Sequence, residues 1–179
     1  MDNKRRNLKH PVWEVYDDYR TAIMNVKIQK AELKRLRRLN FWIEIPLAIS
    51  ASSSVAGLWF WGTVGGGYAL KLLGLITAFL AVLKPLLKLP EKIQQRGEML
   101  ADFTALESDL EKLKKVISQV KKYDNKLRQQ YFKVLDKKGL MKGKYTGIKS
   151  LDNNKQIKMF CAQEVTKEHP ASSFYIPEE

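Results

Sequence analysis

Side chains able to carry acid–base, nucleophilic or metal chemistry are few in this sequence and stand apart. His10 and His169 lie near opposite ends and Cys161 is the single cysteine. No Cys/His set has metal-ligand spacing, and no disulfide can form within one chain. The run Gly143 to Ser150 (GKYTGIKS) has the wrong spacing for a phosphate-binding loop, and there is no Gly-x-Ser-x-Gly elbow. The sequence therefore predicts no enzyme and no cofactor. The residues whose spacing stands out are small or hydroxylated instead. Ser50, Ser53, Ser54 and Gly57 fall on one side of a helix, while Ala48, Ser52 and Ala56 recur every fourth residue on another. Such spacing lets apolar helices approach closely where no hydrophobic force acts between them. Gly74, Ala78 and Ala81 offer a matching stripe for the second face. The serine face then meets another subunit or water. Two readings of the serines stand: they line an aqueous path, or they bond to their own backbone four residues back and line nothing.

Glu44 is the other oddity. A carboxylate at the edge of an apolar segment needs water or a cation, and Lys84 and Lys88 are the nearest candidates in a hairpin. That grouping reads either as a latch or as interfacial charge. Pro46 and Pro85 weaken both helices at the same level.

These residues need elements to hold them. The chain has 179 residues, with Lys+Arg 32 against Asp+Glu 19 and a net charge of +13; its mean hydropathy is -0.34. Yet no charge occurs from Ile45 to Leu70, which a globular domain of this charge density does not normally contain. The predicted fold is all-α: a membrane protein with a two-transmembrane helical hairpin, spans 41–61 and 68–89 within region 41–90, and long cytoplasmic amphipathic or coiled-coil helices. Trp42, Trp59 and Trp61 mark the edges of the first span. Trp42 to Trp61 covers about 28 Å as a helix, close to the roughly 30 Å of bilayer hydrocarbon. The connection from Gly62 to Gly67 carries no charge, whereas both cytoplasm-facing flanks are rich in lysine and arginine. Positive charge then keeps both termini in the cytoplasm. The basic residues are read as serving topology and anionic lipid rather than nucleic acid.

An N-terminal amphipathic helix is expected within 1–40, with Val12, Tyr16, Tyr19, Ile23 and Val26 at helical spacing. A second is expected over 91–139, where Met99, Phe103, Leu106, Leu110, Leu113, Ile117 and Val120 alternate by four and three. That stripe slips at Tyr123 and resumes at Leu127, Tyr131 and Val134, with Gly139 as the stop. The two seams should pair within a subunit, and leftover seam should pair subunits into a homo-oligomer. The tail, 140–179, reads as loop with one short element near 156–165, and its apolar then acidic end either docks on a partner or frays, with fraying expected.

The Trp13, Glu14, Tyr16 start, the aromatic-bounded hairpin and the charged helix after it together resemble the SLATT family over residues 10 to 140. That resemblance implies a pore-forming effector of bacterial antiphage (abortive infection) defence in the inner membrane, acting through its cytoplasmic helices. The short C-terminal region departs from effectors that carry their own ligand domain. A partner sensor protein, or a nucleotide second messenger bound between subunits, would then supply the signal. A passive scaffold that recruits a cytoplasmic partner through the coiled coil is the alternative, and a phage holin-like protein is a third.

Overall fold

The computed structural model describes residues 10–60, 67–146 and 155–177, with side chains described throughout except at 50–60 and 67–74. Among the described residues every regular element is helical: α1 Val12–Phe60, α2 Gly67–Leu87, α3 Leu89–Val120, α4 Asn125–Lys144, α5 Lys155–Glu168 and a 3-10 turn Ala171–Ser173. The all-α expectation holds. The chain forms two compact units, one from Met1–Ala31 with Glu98–Glu179 and one from Glu32–Gly97. They are called the bundle unit and the hairpin unit below.

In the bundle unit, α1 begins where Pro11 has no N–H to lose, and the buried His10 caps it. The His10 imidazole Nδ1 accepts from the Val12 N–H at 3.2 Å, and Glu14 stands favourably in the first turn. The stripe from Val12 to Ile23 is buried against Leu106, Leu110, Leu113 and Ile117 of α3 and Leu127, Tyr131 and Val134 of α4. The predicted 91–139 helix is therefore two. Carrying the four-three alternation past Val120 lands on Asp124, a carboxylate that an apolar seam rejects. The chain turns there. Lys121 adopts φ 54, and Asp124 caps α4 by accepting from the Leu127 N–H at 2.9 Å. Lys137 meets Asp109 at 2.6 Å and Lys144 meets Asp102 at 2.9 Å. One heptad forward on α4 thus matches one heptad back on α3, which is antiparallel register. Within this unit Leu106, Leu110, Leu113 and Ile117 of the seam are covered from the same chain, while Val120 at its distal end is exposed.

Gly139 does not end α4, which runs on to Lys144. Lys138 bonds Asp18 of α1 at 2.7 Å, while Lys144 and the Tyr145 hydroxyl both donate to Asp102. These contacts hold the last turns against the weak propensity of glycine. A Cβ at Gly139 or Gly143 would meet nothing within 4 Å. Gly139→Ala should therefore stabilise the protein by about 0.5–1 kcal/mol, read as a rise in denaturation midpoint; a fall would mean the space is not open.

In the described part of the tail the expected short element is α5, and Phe174 near the end is buried where fraying was expected. α5 packs on α1 through buried Cys161 and Val165, with Lys27 bonding Glu164 and Glu168, each at 2.8 Å. Beyond it Phe174 stacks on Tyr16 at 4.5 Å, and His169 meets the Tyr19 ring edge at 5.6 Å. Burial holds the His169 imidazole below its ordinary pKa; Lys114, Lys27 and Arg20 add to this and Glu168 opposes it. A base depressed in the folded state binds fewer protons folded than unfolded. Its contribution to stability is present above the ordinary imidazole value and is lost as pH falls through it. Acidification from about pH 7.5 to 5.5 should lower the melting temperature, and less so in His169→Phe. Equal pH slopes for the two proteins would remove His169 from the account.

Candidate functional site

The hairpin unit holds the residues singled out by the sequence. Its core is a small cluster of Leu36, Ile43 and Leu89, with Leu47, Leu80, Leu87 and Ile93 packed against it. Lys88 links α2 to α3 with φ 46, a left-handed conformation that costs a non-glycine residue about 1–2 kcal/mol. The turn is held because it drives Leu89 into the cluster, where it is 2 % exposed.

Three ion pairs surround this cluster. Glu44 lies 3.3 Å from Lys84 on α2, so the structure brings two of the three latch candidates together. Lys88 is turned instead toward Glu91, 3.9 Å away. Both pairs are substantially exposed, and pairs of that kind contribute at most about 1 kcal/mol. The third pair was not anticipated: Arg96 of α3 meets Glu32 of α1 at 2.7 Å with both side chains buried. The sequence did carry a signal. Carried back from Met99, the four-three spacing of the α3 seam reaches Arg96, so a cation occupies a position that normally faces a partner helix.

Of the helix-packing candidates, Ala78 and Ala81 are exposed. The packed side of α2 runs instead through buried Thr77 and half-buried Leu80, Lys84 and Leu87. The proposed small stripe thus does not form the packed face in the described part of α2. Leucine side chains bury several times the area of a methyl group, and that area sets which side turns inward. Ala48 on α1 is exposed as well. The pore-lining candidates Ser50, Ser53, Ser54 and Gly57, and the packing candidates Ser52, Ala56 and Gly74, lie outside the residues whose side chains are described. The same holds for Trp59, Trp61 and the glycine-rich connection.

The outer surface of the unit is unusual. Phe41, Trp42 and Ile49 on α1, and Leu75, Ile76, Phe79, Val82 and Leu86 on α2, are all exposed, Leu86 by 73 %. Next to them on α1, Lys34, Arg35, Arg37 and Arg38 are exposed too. Burying such apolar side chains is worth about 1.5–3 kcal/mol each, so the exposed set represents on the order of 10 kcal/mol of unfavourable contact with water. Among the described residues no helix is long and apolar enough to cross a membrane.

The bundle unit carries several surface grooves, among them one between α1 and α5. A space of about 620 Å³ between α1 and α5 is lined by Lys27, Lys30, Phe160, Cys161 and Glu164 among others. Its Lys27 is already committed to Glu164 and Glu168, and burial pushes the Cys161 thiol up, which makes it a poor nucleophile. No reacting group is assembled there.

A scan against family models found no match to this chain, and searches of curated proteins and of solved structures likewise found none.

Proposed function

We propose that the hairpin unit inserts into a lipid bilayer and that the chain is a homo-oligomeric membrane effector of the SLATT type, a pore-forming protein of bacterial antiphage defence. One observation supports this above the others: the exposed apolar surface on α1 and α2, bounded by a run of cations. Water disfavours such a surface, and hydrocarbon capped by headgroups favours it. α2, with 21 residues, is about 30 Å long, the thickness of a hydrocarbon core. The uncharged run from Ile45 to Leu70 would supply the middle of the first span, and the uncharged stretch from Leu72 to Leu83 that of the second. In the inner membrane with both termini cytoplasmic, the bundle unit would receive the trigger from a partner sensor or a nucleotide signal. The spans would then yield at Pro46 and Pro85 and open a path past Ser50, Ser53, Ser54 and Gly57.

Expression in bacteria with a potential-sensitive dye tests this reading. Triggered wild-type protein should collapse the membrane potential, and Ser50→Leu with Gly57→Leu should slow the collapse. Unchanged potential and unchanged dye exclusion would end the pore proposal. A passive scaffold is favoured by one feature, a bundle unit that completes its own core. Exchange of both spans for unrelated ones separates the two, because a scaffold would keep its activity and a pore would lose it.

A further inference from the structure

We infer that the rim of the hairpin unit is a binding surface for the headgroups of anionic phospholipids, an inference that rests on the bilayer reading above. The unit spans residues 32–97 and carries nine lysines and arginines against three glutamates. Each of those glutamates already has a cation partner in Arg96, Lys84 or Lys88. The positive excess is concentrated at one level. Leu36 sits between Lys34–Arg35 and Arg37–Arg38 on α1, Leu89 sits between Lys88 and Lys92, and Leu36 and Leu89 belong to the same buried cluster.

The spacing itself calls for an anion. Lys34 and Arg38 are one helical turn apart on α1, and both are exposed. Like charges four residues apart destabilise a helix in water by a few tenths of a kcal/mol, and an anion held between them reverses the sign. Polarity also changes sharply along α1. Phe41 follows Arg37 and Trp42 follows Arg38 by four residues, so these two exposed cations each have an exposed aromatic ring one turn further on. A free phosphate matches the cations only. A phospholipid matches both, with its phosphate at the cations and its glycerol and acyl carbon against the rings.

Reconstitution of the full chain in phosphatidylcholine vesicles tests this, with Trp59→Phe and Trp61→Phe leaving Trp42 as the reporter in the hairpin unit. Trace brominated phosphatidylglycerol or brominated phosphatidylcholine then quenches Trp42. Quenching should be several-fold stronger with the glycerol lipid. The preference should fall about fivefold for each cation neutralised among Lys34→Gln, Arg35→Gln, Arg37→Gln and Arg38→Gln, given roughly 1 kcal/mol per surface cation. Equal quenching by both lipids overturns the headgroup site and leaves the bilayer reading intact. Absence of quenching by either overturns both. Inorganic phosphate at constant ionic strength should leave the preference unchanged; its loss would assign the cations to free phosphate and overturn the lipid site.

Discussion

Arg96→Ala is expected to destabilise the protein by about 3–5 kcal/mol, because it strands the buried Glu32 carboxylate that Arg96 now meets at 2.7 Å. Small domains are stable by only about 5–15 kcal/mol, so that loss is a large share of the whole. Glu32→Ala should cost a similar amount by stranding the guanidinium. The double replacement Glu32→Leu with Arg96→Met behaves differently. It removes two desolvated charges together and should restore stability to the parent level or exceed it by about 1–4 kcal/mol. Denaturant titration of the four proteins reads this cycle, and single variants within about 1 kcal/mol of the parent would show that the pair is not desolvated. The double variant has a second use. If it folds without the pair as expected, any change it shows in the activity proposed above reports on the pair and not on folding.

Much of this architecture was legible in the sequence, and the failures have physical causes. The α1 stripe from Val12 to Ile23 and the α3 stripe from Leu106 to Ile117 were readable because both are long and regular, and both face the core. The slip at Tyr123 is visible too, but periodicity alone makes it an irregularity within one helix, whereas Asp124 makes it a turn with a cap. Local propensity misled at Gly139, where bonds from α4 to α1 and α3 outweigh the glycine. The ordered tail was hidden for a different reason: Phe174 is an isolated aromatic without periodicity, and its place on Tyr16 is set by contacts far apart in sequence. In the hairpin unit, the facing of Glu44 and Lys84 followed from hairpin geometry alone. Ala48, Ala78 and Ala81, the described members of the small-residue set, are exposed; spacing identifies a face that can pack closely without showing that it is the one that does.

Phe174→Ala is the second substitution with a large expected effect, about 3–5 kcal/mol of lost stability, the range for removing a buried phenyl ring. The ring is 5 % exposed, stacks on Tyr16, and lies under the Lys114 ammonium at 4.9 Å, which also covers Tyr19 at 4.8 Å. The Tyr16 hydroxyl donates to the Tyr175 carbonyl at 2.5 Å. Burial pushes that hydroxyl up to about 12, so it remains a donor throughout the neutral range. Tyr16→Phe should therefore cost less, about 1 kcal/mol, since it removes one hydrogen bond and keeps the stacked ring. The buried Cys161 thiol supplies an independent reading, because it reacts only when α5 lifts from α1. If the tail clasps the bundle, Phe174→Ala should accelerate its labelling while Tyr16→Phe accelerates it less. A loss below about 0.5 kcal/mol with unchanged labelling would instead mean that the tail frays in solution, as its composition alone suggests.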